Sequence, residues 1–121
     1  MLKILKKKII QNNCLGKKVK EETRLLRNCD KAVKRNPENP ISYFNRGNLK
    51  FKSGDYQGAM KDYNAAIRLN PEYLEAYHSR AIIKEKLNYY NGAIADYNFI
   101  LKMDSLDPLA RKNKNIIQQR F

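Results

Sequence analysis

Residues 40–73 read PISYFNRGNLKFKSGDYQGAMKDYNAAIRLNPEY, and residues 74–107 follow as LEAYHSRAIIKEKLNYYNGAIADYNFILKMDSLD. Laid over one another at an offset of 34, they agree at ten positions: Tyr43, Arg46, Lys50, Lys52, Tyr56, Gly58, Ala59, Asp62, Tyr63 and Asn64, each with its partner in the second stretch. A fixed internal period sets the architecture before any single residue is interpreted. Each unit is one supersecondary element that cannot bury its own apolar face, so neighbouring units must stack.

The repeated unit is helical. Apolar residues recur three, four and seven apart, with little of the period-two alternation of a strand. Pro40 suits a helix start, because the N–H it lacks would have no partner there. The spacing predicts a first helix over 41–53, broken at Ser53-Gly54-Asp55. Gly54 fits a left-handed C-terminal cap and Asp55 fits an N-cap. A second helix over 56–69 stops at Asn70-Pro71, since the residue before proline is pushed out of the helical region. The next unit predicts helices over 73–87 and 90–103, with a turn near Asn88-Tyr89. A last helix covers 108–119 after the break at 104–108. Upstream, Ala32, Asn36, Pro37 and Glu38 match Ala66, Asn70, Pro71 and Glu72, and Cys29 stands where Tyr63 does. Residues 20–35 therefore read as the second helix of a degenerate first repeat. Its first helix is expected from 1–14, with a turn at Asn12-Asn13-Cys14-Leu15-Gly16.

Units of the form Tyr-x-x-Arg-Gly, Gly-Asp-Tyr-x-x-Ala and Asp-Tyr-x-x-Ala-Ile-x-Leu-x-Pro resemble the tetratricopeptide repeat. The resemblance places the signature positions on Tyr43, Gly47, Tyr56, Ala59, Tyr63, Ala66 and Pro71, then on Tyr77, Ala81, Tyr90, Ala93, Tyr97 and Ile100. Arg46 and Arg80 depart from it where leucine is common, and Ile100 departs where alanine is. The fold it implies is all-α: a right-handed superhelix of stacked antiparallel helix pairs. The domains follow as a basic segment with a degenerate repeat over 1–39, repeats over 40–73 and 74–107, and a capping helix over 108–121. Small Gly47 and Ala59 let paired helices approach, while Tyr43, Tyr56 and Tyr63 fill the space between neighbours. Arg46 with Asp62, and Arg80 with Asp96, are expected to form an ion pair inside each repeat.

The resemblance also implies a concave groove lined by the first helix of each pair, which binds a peptide or helix of a partner protein. The matching positions are Ile41, Phe44, Asn45, Asn48, Phe51 and Lys52, then Glu75, His78, Ser79, Ile82, Glu85 and Lys86. The last helix adds Leu109, Lys112, Asn113 and Ile116. Some members of the family clamp the C-terminal carboxylate of a chaperone with Lys, Asn and Arg. Here those positions read Ile10, Cys14, Asn45, Glu75 and Ser79 in one frame. In the other they read Phe44, Asn48, Ser79, Leu109 and Asn113. Each frame matches once, and Glu75 repels a carboxylate, so a chaperone-tail receptor is not expected. Phe44, Phe51 and Ile82 suggest apolar anchoring instead.

Charge is lopsided. The chain carries a formal +13, and residues 1–35 hold twelve Lys or Arg against three acids. Such a segment favours acidic partners, and nucleic acid is the competing reading. The surplus lies outside the clear repeats, while the groove carries Glu75 and Glu85, which sets RNA second. Cys14 and Cys29 form no C-x-x-C pair, and with His78 alone they complete no zinc site. A reducing, cytoplasmic setting is expected, with Cys29 buried. No segment approaches the apolar length of a membrane span. No phosphate loop or nucleophile–base pair is evident, so neither catalysis nor a cofactor is expected. Self-association is a further expectation for a chain with two full repeats.

Overall fold

The computed structural model describes the backbone of residues 2–120 and the side chains of residues 17–120. Six helices follow in order: α1 (Leu2–Arg35), α2 (Pro40–Lys52), α3 (Tyr56–Leu69), α4 (Leu74–Lys86), α5 (Tyr90–Met103) and α6 (Pro108–Arg120). Helices α2 with α3, and α4 with α5, are the two hairpins of the 34-residue repeat. Each helix packs on its neighbours in sequence, which makes a solenoid of stacked pairs.

Local chemistry sets the boundaries. Asn39 caps α2, accepting from the Ile41 N–H, and Pro40 takes the first turn. Asp55 caps α3, accepting from the Gly58 N–H at 2.9 Å. Between them Gly54 has φ +85° and leaves the helix in the left-handed region, as its missing Cβ permits. At the same place in the second hairpin stands Asn88, with φ +63°. Asparagine is among the few side chains that tolerate that region.

Ala59, Tyr63 and Ile83 form one buried cluster, and Tyr77, Ala81, Ala93, Tyr97, Ile100, Ala110 and Ile117 form another. Close approach explains Gly47: a Cβ there would sit 2.9 Å from Cε1 of Tyr63. The expected ion pairs are present and bidentate. Arg46 Nε and Nη2 donate to Asp62 at 2.9 and 2.8 Å, and Arg80 donates to Asp96 at 2.9 and 2.6 Å. Lys50 and Lys84 add a second cation to each carboxylate at 3.2 and 3.1 Å. The guanidinium groups also lie over the rings of Tyr43 and Tyr77. Burying these aspartates is tolerated because each is paired and hydrogen-bonded.

The N-terminal expectation is corrected. No turn interrupts residues 12–16; α1 is one helix of 34 residues. Asn12, Asn13 and Gly16 cost only about 0.5–1 kcal/mol each in a helix interior, and no proline forces a break. A hairpin there would also bring Lys3, Lys6, Lys7 and Lys8 back over the basic second half of the same segment. Cys29 is half covered rather than buried, and partial burial beside Asp30 raises its thiol pKa. Cys14 and Ile10 lie outside the described side chains.

Candidate concave binding surface

The first helices of the pairs, α2 and α4, supply the expected groove positions. The structure brings Asn48, Phe51 and Lys52 of α2 together with Ser79 and Ile82 of α4 around one depression of about 330 Å³. Its sixth wall is Tyr63 of α3. Sequence reading placed that tyrosine in the core only. The ring is buried, yet the hydroxyl reaches the groove and donates to Asn48 Oδ1 at 2.6 Å. Burial pushes the phenol pKa up to about 12, and a hydrogen bond from Ser79 opposes the rise. The missed signal is the tyrosine itself: phenylalanine would fill the same volume without requiring a partner for the hydroxyl.

The second repeat varies this arrangement. Tyr97 donates to Glu85 Oε1 at 2.5 Å and accepts from Asn113 of α6 at 3.2 Å. Burial, with the Glu85 hydrogen bond second, raises the Tyr97 pKa. Glu85 is thereby committed to the scaffold rather than held open for a ligand. Asn113 ties α6 to α5 in the same way.

Phe44 and His78 lie elsewhere than the depression. The Phe44 ring packs 5.7 Å from Tyr63 and 4.9 Å from Tyr73. Thirty-four residues on, His78 lies 6.3 Å from the Tyr97 ring, and its Nε2 is 3.2 Å from Asp107 Oδ2. An aromatic junction in one repeat is thus a polar junction in the next. Asp107 Oδ1 meanwhile accepts from the Ala110 N–H and starts α6. The Ala110 bond lowers the Asp107 pKa first, against desolvation, and the contact with His78 lowers it further. Ile41, Asn45, Lys52, Glu75 and Lys86 are exposed, with Ile41 at 55%. Leu109, Lys112 and Ile116 of α6 are exposed too. Asn45, Glu75 and Lys86 make no part of the depression itself.

Stacked helix pairs with a partly apolar hollow between successive first helices define a class: helical-repeat interaction modules. Family comparison makes the assignment specific. A TPR repeat model matches residues 47–88, and a tetratricopeptide repeat model matches residues 28–61. The chain belongs to the tetratricopeptide repeat family. A structure of the first TPR of Spaghetti (RPAP3) bound to HSP90 peptide SRMEEVD is similar, with 25% identity and a TM-score of 0.78. That match covers 85% of this chain and 82% of the other. The first TPR domain of human RPAP3 has 25% identity and a TM-score of 0.75, covering 84% and 80%. The Arabidopsis OM64 TPR domain shares the fold at 22% identity and a TM-score of 0.77, covering 88% of each chain. Comparison with curated proteins gives no match. Among the described residues, no helix is long and apolar enough to cross a membrane.

Proposed function

We propose that this protein is a non-enzymatic adaptor that holds an extended peptide of a partner protein across α2 and α4. One observation carries the reading: the depression of Asn48, Phe51, Tyr63, Ser79 and Ile82. Its Phe51 and Ile82 walls offer apolar area to an anchor side chain. Exposed Asn45 lies on the same helix and can bond the peptide backbone, donating and accepting through one side chain. The similar structure bound to an HSP90 peptide supports a peptide occupant. Exposed Glu75 stands where a carboxylate clamp needs a neutral or basic group, so we assign an internal apolar anchor rather than a terminal carboxylate. We extend the proposal to a cytoplasmic setting, in keeping with the free thiol of Cys29.

The test uses peptides selected by phage display on the full chain, with SRMEEVD as the carboxylate probe, followed by NMR titration. Selected peptides should shift Asn48, Ser79 and Ile82, and Phe51→Ala or Asn45→Ala should weaken them about tenfold, near 1.4 kcal/mol. SRMEEVD should give no saturable shifts. Selected peptides that keep full affinity for both variants would show that the groove is misassigned.

A further inference from the structure

The α1 helix presents a second surface, defined by comparing the same repeat position three times. At the 34-residue offset, Leu25, Asn28, Cys29 and Ala32 correspond to Ala59, Asp62, Tyr63 and Ala66 of α3, and to Ala93, Asp96, Tyr97 and Ile100 of α5. In α3 and α5 each of these is at most 3% exposed, because the first helix of the hairpin lies on them. In α1 Leu25 is 39% exposed, Asn28 and Ala32 are exposed, and Cys29 is half covered. The other side of α1 is closed onto α2: Val33 is buried, and Asp30 accepts from Arg46 at 3.1 Å. Among the described residues, α1 is the second helix of a hairpin with its first helix unfilled.

We propose that this face binds an acidic amphipathic helix of a partner protein, which completes the hairpin. Two substitutions within the repeat and the charge of its rim define its chemistry. First, Cys29 is small where Tyr63 and Tyr97 are large. The incoming helix must therefore carry a bulky apolar residue where Gly47 and Ala81 pass in the complete hairpins. Second, Asn28 stands in place of Asp62 and Asp96, so the arginine that those aspartates require is not required here. Third, the exposed rim is basic: Lys17, Lys18, Lys20, Arg24, Lys31 and Arg35, with Glu21 already held by Arg24 at 2.6 Å. That rim matches acidic flanks. It repels a second copy of α1 and also residues 1–14 of this chain, which carry four lysines and no acid. Nucleic acid would use the rim but not the Leu25–Ala32 seam. The surface is independent of the groove between α2 and α4.

The probes are two stapled helical peptides of roughly fourteen residues, long enough for about four turns. They share one Leu/Phe seam and differ in Glu or Lys flanks. Fluorescence anisotropy against the full chain, at about 150 mM salt, should give saturable binding for the Glu-flanked peptide. The Lys-flanked peptide should bind at least about tenfold more weakly. Ala32→Glu and the Arg24→Glu/Lys31→Glu pair should each reduce affinity by about tenfold or more, while Phe51→Ala leaves it unchanged. All of these positions are exposed or half-covered, so thermal melts should report intact folds. Four outcomes would overturn the proposal: no saturable binding by the Glu-flanked peptide, wild-type affinity with Ala32→Glu, a dimer by sedimentation that Ala32→Glu dissolves, or binding of oligo-U that ignores Ala32→Glu.

Discussion

At the scale of single residues, the repeated Arg–Asp pair makes a prediction that separates the two repeats. Asp62 and Asp96 are equally buried and equally well bonded. Their arginines differ in what remains if the aspartate is lost: Arg46 keeps the charged Asp30, while Arg80 has the neutral Asn64 in that place. Asp96→Ala should cost about 3 kcal/mol, the low end for stranding a buried charge, and Asp62→Ala about 1 kcal/mol less. Urea denaturation midpoints check the order; equal losses would mean that Asp30 contributes nothing. The tyrosine hydroxyls give a pH prediction. Burial raises the folded pKa of Tyr63 and Tyr97 above the ordinary 10.0. Each folded phenol therefore holds its proton longer than the unfolded one. Their contribution is complete below pH 10 and is lost as pH rises through the folded values. Tyr97→Phe should flatten the alkaline decline in melting temperature.

At the scale of an element, helix ends decide where the chain turns. Asn88 occupies the left-handed position that glycine fills in the first repeat. Asn88→Ala should cost about 1 kcal/mol, whereas Asn88→Gly should be neutral or better, measured by thermal melts. Asp107 both caps α6 and holds His78. Its folded pKa lies below the ordinary 3.8, so its contribution is present above that value and fades as the pH falls through the folded one. Asp107→Asn should remove this acid dependence and loosen α6, seen as faster amide exchange in residues 110–117.

At the scale of the whole molecule, stability passes from neighbour to neighbour along the stack. A close contact inside a hairpin therefore matters more than a large exposed side chain. Ala59, fully buried between helices, should not accept phenylalanine: overpacking costs about 1–3 kcal/mol and unfolds the repeat. Leu106, 76% exposed, should accept alanine within about 0.5 kcal/mol. Circular dichroism in urea distinguishes the two. The molecule also has two unlike faces, a partly apolar hollow on α2 and α4 and a basic open edge on α1.

The 34-residue period, the caps at Gly54 and Asp55, and the Arg–Asp pairs were legible without coordinates. Each depends on local geometry or on a spacing that helical stacking enforces. The continuous α1 was not legible, because weak helix formers such as Asn and Gly read alike in a turn and in a long helix when no proline decides. Candidate positions on α2 and α4 could be named from the repeat alone. Which of them converge could not: Phe44 and His78 turned to the junctions, and the hydroxyl of Tyr63 joined the wall. Chain order alone determined that hairpins stack and which residue types their contacts need. Tertiary packing alone decided which side chains neighbours consume and which stay open, since that depends on distances between helices far apart in sequence.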